Sequence, residues 1–319
     1  MRKLLVTVMA AVLGTSLTAC GLNVNAALPY DVKPGSIRPV PSLEGVPVTV
    51  GSKDFTENII LGYMAELALS AAGAKVTDLT NINGSNSARQ ALVAGQTDVS
   101  WDYTGTAWLS YFGHDKPIPE EHAQFDAVRN EDLKENGVDW LDYSPVNDTY
   151  AFATTQAYAQ AHNLRSNSDM TNFLKQHPEE AVFCLETEFS SRQDGFPGVQ
   201  KEYGFPATTV KTFGTGAIYA AVANGTCNFG EVFTTDGRIG GLHLRVLNDD
   251  KQFFPQYNAS VMVKKAFLDQ HPALADVLVP VGKALDNDQM VELCKQVDVD
   301  GKDAGEVARD WMISKGFIS

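Results

Sequence analysis

From Val46 onward the chain alternates short β-branched runs with apolar stretches of helical period. Val46-Pro47-Val48-Thr49-Val50 reads as a strand, its proline tolerable near a strand's start. A helix from about Glu57 to Ala72 follows, with Ile59, Ile60, Met64, Leu67 and Leu69 on its apolar face and Gly73 closing it. A second helix runs from about Ser87 to Ala94 and stops at Gly95. Thr97-Asp98-Val99-Ser100 is strand-like, and Trp108, Leu109 and Phe112 carry a helical face to Gly113. Further along, strands are expected at Tyr150-Phe152, Ala181-Leu185, Thr209-Phe213, Asn228-Phe233 and Leu244-Leu247. Helices are expected near Met170-Gln176, Val199-Tyr203 and Ile218-Ala223. The tail returns to helices at Ala266-Gln270, Ala273-Leu285, Gln289-Val297 and Ala304-Lys315. This βαβ alternation predicts an α/β protein whose sheets are mainly parallel. The order fits two lobes, with the chain crossing near Asn147-Tyr150 and returning near Asp249-Phe254.

The N-terminus sets the expected compartment. Met1-Arg2-Lys3 is basic, and Leu4 to Leu17 is a mostly apolar run too short to span a bilayer comfortably. It closes on Leu17-Thr18-Ala19-Cys20-Gly21, which resembles a bacterial lipoprotein signal cleaved after residue 19 to free Cys20 for acylation. An ordinary secretory signal with a chance cysteine is the alternative. Pro29, Pro34, Pro39 and Pro41 deny residues 20–45 a regular helix or central strand, so a stiff tether is expected there. No later run approaches the ~20 apolar residues of a membrane helix. The expected product is a body anchored by lipid on the extracytoplasmic face of the cell membrane.

A length of 319 residues allows about two domains, and 44% hydrophobic content suits a sizeable core. The formal charge of −14 becomes −16 once Arg2 and Lys3 leave with the signal. Such acidity argues against nucleic acid, whose binders carry basic faces. With Cys20 assigned to lipid, Cys184, Cys227 and Cys294 remain. Cys184 and Cys227 lie in strand-like runs and are expected to pair outside the cytoplasm, although sequence does not decide connectivity. Cys294, at helical spacing from Met290, reads as a core thiol. No spacing resembles CxxC.

Catalytic patterns are missing. GxSxG, SxxK, HExxH and GxxxxGK[ST] do not occur, and Gly214-Thr215-Gly216 lacks the third glycine of a dinucleotide loop. The six histidines form no close pair on one helix face. We therefore expect no enzyme, no cofactor and no metal site. What recurs is an aromatic beside polar groups at strand ends and crossings: Tyr103 in Trp101-Asp102-Tyr103-Thr104-Gly105-Thr106, Tyr150 in Asn147-Asp148-Thr149-Tyr150, Phe233 before Thr234-Thr235-Asp236-Gly237, and Tyr257 after Phe253-Phe254-Pro255-Gln256. In open α/β sheets ligands bind at the carboxyl ends of strands. Rings converging there would attract a quaternary ammonium by roughly 0.5–2 kcal/mol each. Each ring taken singly fits a core equally well. Arg192 could grip a carboxylate through its fork, or pair with Glu188 at i,i+4. Lys53 and Thr106 offer further donors.

Seven motifs in order carry a resemblance: Gly51-Ser52-Lys53-Asp54-Phe55-Thr56-Glu57, Asp102-Tyr103-Thr104-Gly105-Thr106, Asn147-Asp148-Thr149-Tyr150, Glu188-Phe189 with Arg192, Asp194-Gly195, Thr235-Asp236-Gly237, and Asp249-Asp250-Lys251 through Phe254-Pro255. From about Val46 to its end the chain resembles the osmoprotectant-binding proteins of ABC importers, which take glycine betaine, proline betaine, choline or carnitine. The resemblance implies a two-lobed type II periplasmic-binding-protein fold that closes on its ligand. Residues 46–148 with 252–319 would form one lobe and 149–251 the other. It implies that Tyr103, Tyr150, Phe233 and Tyr257 cage a trimethylammonium group, with Lys53, Thr106 and Arg192 as carboxylate partners. It also implies a monomer that delivers ligand to an ABC permease. Phe233 stands where the family commonly has tyrosine, and Trp101-Asp102 replaces the more usual Pro-Glu. An aromatic or polyphenolic compound or an amino acid in the same cleft is the second expectation. An extracytoplasmic hydrolase using Asp102 or Glu188 is the third.

Overall fold

The computed structural model describes residues 30–319. Its strands form two five-stranded sheets. In the first, β1 (Pro47–Lys53), β2 (Lys75–Ile82), β3 (Val99–Tyr103), β4 (Val138–Trp140) and the late β10 (Ala259–Lys264) stand in the order β2-β1-β3-β10-β4. In the second, β5 (Tyr150–Thr155), β6 (Val182–Leu185), β7 (Thr209–Thr212), β8 (Phe229–Phe233) and β9 (Leu244–Leu247) stand in the order β7-β6-β8-β5-β9. In each sheet four strands run one way and one runs against them. The reversed strands are β10 and β5, each lying next to an interlobe crossing.

β1 is followed by the helix Thr56–Ala71, buried along most of its length between the first sheet and the C-terminal helices Ala273–Lys283, Asn287–Asp298 and Ala304–Ser314. The helix Thr215–Ala223 packs against β5, β6 and β8 of the second sheet. The Cys184 and Cys227 sulfurs are bonded, 2.05 Å apart, joining β6 to the start of the β8 segment. Cys294 is a free, buried thiol.

The two crossings lie side by side. Asn147 and Asn258 form an antiparallel bridge. The Tyr257 N–H donates to Asn147 Oδ1 at 2.7 Å, and the Asn147 side-chain amide donates to Gln256 Oε1 at 2.6 Å. Paired backbone at one edge and open cleft beyond it is the geometry of a hinge.

Two features depart from the expected layout. Residues 30–45, part of the stretch read as a free tether, are held along the body. Ser36 N–H donates to the Gly316 carbonyl, Val40 N–H to that of Ala72, and Leu43 is fully buried. Prolines that forbid regular structure do not forbid docking as a strap. A strand absent from the expected layout, β10, also precedes the expected tail helices and inserts between β3 and β4. Cys20 and the signal lie outside the described residues, and none of the described helices is long and apolar enough to cross a membrane.

Candidate functional site

The carboxyl ends of β1 and β3 face those of β6 and β8 across a cavity of about 410 Å³, a size suited to a small ligand. Lys53, Tyr103, Thr106, Tyr150, Phe233 and Tyr257 all line it. Phe55, immediately after β1, joins them. The rings form a continuous arc: Tyr103 to Phe55 at 5.8 Å between centroids, Phe55 to Phe233 at 5.0 Å, Phe233 to Tyr150 at 5.0 Å, and Tyr150 edge-on to Tyr257 at 5.5 Å.

Local sequence explains the placement. Tyr103 ends β3, and the chain turns helical at once through Thr104–Thr106, which puts Thr106 beside the ring. The next turn, Ala107–Tyr111, is of the wider π type: Phe112 N–H donates to the Ala107 carbonyl at 3.0 Å. Such turns occur often at functional sites. Here Tyr111 reaches back to donate to Asp102 Oδ2 at 2.8 Å. Gly105 leaves room for the second crossing, since a Cβ there would sit 2.7 Å from the Tyr257 ring and 2.8 Å from the Gln256 carbonyl. On β8, Glu231 and Phe233 are two residues apart and face the cavity together.

The cations of the site are already engaged. Lys53 Nζ lies 2.7 Å from Asp102 Oδ1, both side chains buried, and 5.2 Å from the Tyr103 ring centroid. Asp102 also accepts the Tyr103 N–H at 2.8 Å. Arg192 is not among the residues lining the cavity. Its fork grips Asp194, with Nε donating to Oδ1 at 2.8 Å and Nη2 to Oδ2, while Nη1 donates to Glu188 at 2.8 Å. Asp194 in turn accepts the Tyr257 hydroxyl at 2.9 Å, and the guanidinium stands 5.7 Å from the Tyr150 ring centroid. Arg192 thus braces two rings and a cavity carboxylate from behind.

The lining is acidic. Asp54, Asp148, Glu186, Glu188 and Glu231 contribute carboxyls and Lys53 one ammonium. Burial pushes Glu231 well above the usual carboxyl range, despite the Glu186 N–H it accepts at 2.9 Å. Burial would raise Glu188 too, but Arg192, Lys53 and the Ser85 N–H together hold it below its ordinary value. That Ser85 contact, 3.1 Å to Glu188 Oε2, spans the cleft from one lobe to the other.

The pattern of an aromatic beside polar residues identified four rings but passed over Phe55, which sits in the same context after β1. Glu231 could have been found from its alternation with Phe233. Glu186 follows directly after β6 and carried no pattern of its own. Among the described residues no group of three or more His, Cys, Asp or Glu side chains is placed to hold a metal ion.

A family model described as the substrate binding domain of ABC-type glycine betaine transport systems matches residues 46–314. A glycine-betaine-binding protein of Pseudomonas aeruginosa is 34% identical over 270 residues, 82% of this chain and 86% of that protein. The ergothioneine transport permease/ergothioneine binding protein EgtU of Helicobacter pylori is 29% identical over 277 residues, 86% of this chain and 49% of that protein. Among solved structures, that of a glycine betaine/carnitine/choline ABC transporter aligns with a TM-score of 0.69 at 27% identity, covering 85% of this chain and 99% of that one.

Proposed function

Because the chain belongs to the substrate-binding-domain family of ABC-type glycine betaine transport systems, and has its two-lobed type II periplasmic-binding-protein fold, we propose that it captures a quaternary-ammonium osmolyte between its lobes. Glycine betaine or a relative such as choline or carnitine is the ligand, and an ABC permease is the recipient. The observation that carries this reading is the arc of five rings bordering a cavity lined by carboxyls. Ring faces attract a poorly hydrated cation, and carboxylates at the rim favour its charge. Thr106 and Lys53 stand where a ligand carboxylate would find donors, while Arg192 acts by holding Glu188 and Asp194 in place. The relatives with printed roles are binding proteins, and the function is capture and delivery without turnover.

In this reading residues 46–148 with 252–319 form one lobe and residues 149–251 the other. A lipid on Cys20 holds the protein on the extracytoplasmic face of the membrane. Titration calorimetry with glycine betaine and choline tests the site. Tyr150→Ala should lose roughly 0.5–2 kcal/mol, an about twofold to about thirtyfold drop in affinity. Unchanged affinity would remove the cage from the account.

A second reading rests on the stacked pair Phe55 and Phe233, 21° from parallel and without a hydroxyl between them. Such a pair suits a flat aromatic ligand. Thermal-shift screening of betaine, choline and carnitine against planar aromatics separates the two.

A further inference from the structure

Three of the seven motifs send a polar side chain to one buried point beside Phe55 and Phe233. Glu57 comes from the first turn of the helix after β1, Asp148 from the first crossing, and Thr235 from the turn after β8; each is at most 4% exposed. Thr235 Oγ1 lies 2.5 Å from Glu57 Oε2 and 2.6 Å from Asp148 Oδ1. The Tyr103 hydroxyl donates to the other Glu57 oxygen at 2.7 Å. A threonine hydroxyl has one proton to give, so it cannot donate to both carboxylates. The second short oxygen–oxygen contact needs a proton held by one of the acids, as in other carboxyl pairs that share a site.

We propose that Glu57, Thr235 and Asp148 form a proton-sharing clasp that ties the two lobes, positions the Tyr103 ring, and makes ligand-driven closure take up a proton. The inference rests on the functional reading above for its ligand, and on the geometry alone for the proton. In an opened form water would reach both carboxyls and let them ionise at ordinary pH; in the closed form one stays neutral.

The surroundings agree. On the acidic side Glu57 and Asp148 face Asp236 from the same turn as Thr235, with Asp298 and the Cys294 thiol from the helix Asn287–Asp298. Arg238 is committed to Asp236 and Asp298, and also lies over the Tyr219 ring. Lys53, across the Tyr103 ring, is committed to Asp102. Burial outweighs the Thr235 and Tyr103 hydrogen bonds and pushes Glu57 up to about 7; burial and the Glu57 charge push Asp148 up as well. The sign follows. A carboxyl raised by closure stabilises the closed form fully below its open-state value and loses that contribution as pH rises through the closed-state value. Affinity should therefore fall with rising pH from about 5, by up to about tenfold per unit while one proton is taken up, and level off beyond about 7. A cation binding beside Glu231 alone would release a proton, giving the opposite slope.

The test has two arms. Titration of wild type with glycine betaine and with choline, in buffers of different ionisation enthalpy near pH 6.5, should show net proton uptake, and Glu57→Gln should reduce it and flatten the pH dependence. Without ligand, the radius of gyration of wild type, Glu57→Gln and Asp148→Asn, followed by small-angle scattering from about pH 5 to about pH 8, should diverge: the wild type is more closed at low pH and opens as pH rises, and both variants lose that dependence. Proton release or none on binding, or radii with parallel pH dependence, would overturn the clasp. If neither probe binds at any pH while the wild-type radius alone follows pH, the functional reading falls and the clasp stands.

Discussion

Asp102 holds three groups at once: the Lys53 ammonium, the Tyr103 N–H and the Tyr111 hydroxyl. Lys53 is nearly as buried, so removing its partner leaves a charge with no compensation. Breaking such a pair costs about 3–5 kcal/mol. Asp102→Ala should therefore lower unfolding stability in urea by about that amount; a loss under about 1 kcal/mol would mean water already reaches the pair. Gly105 is the complementary case, where the absence of a side chain lets Tyr257 close on the β3 turn. Gly105→Ala should displace Tyr257 and weaken ligand binding about fivefold or more by calorimetry, since overpacking a tight contact costs about 1–3 kcal/mol. Wild-type affinity would show that the second crossing can yield.

At the scale of elements, strands with strong apolar or β-branched runs were legible from the sequence, and so were four of the rings that line the cavity. β2, Lys75–Ile82, carries a weak strand signal because it is an edge strand, half-exposed along most of its length, with Thr and Asp among its apolar positions. β10 does too, because Val261-Met262-Val263 is too short to distinguish strand from helix by period. The helix Glu121–Asn136 lacks a clear apolar face for a different reason. Its buried positions include Gln124, whose side-chain N–H groups donate to Thr104 and to the Gln256 carbonyl, and Asp132, which accepts from Arg89 and Trp140, so its inner face is partly polar. Arg192 teaches the same lesson at the site: its i,i+4 carboxylate was visible, but the grip on Asp194 depends on a bend in the backbone that no periodicity reports. The disulfide between β6 and the β8 segment closes a loop with sequence separation 43. Cys227→Ser should lower stability by about 2–4 kcal/mol in chemical denaturation. An unchanged midpoint would mean that this loop is already constrained in the unfolded chain.

For the whole molecule, contacts that span the cleft include Ser85 with Glu188, Glu57 and Asp148 with Thr235, Tyr257 with Asp194, and Asp298 with Arg238. They lie around the ring arc, so ligand binding and lobe closure share residues. A ligand shifts such an equilibrium only through its preference for the closed form. In the proposed reading the ring arc would supply that preference, because Tyr103 from the first sheet and Tyr150 and Phe233 from the second line one cavity. The measurement that bears most directly on this account is calorimetric titration of the purified protein with glycine betaine and choline beside Tyr150→Ala. The account predicts saturable one-to-one binding of at least one of the two, weakened about twofold or more by losing the Tyr150 ring. Absence of binding by either, or equal affinity in the variant, would contradict it.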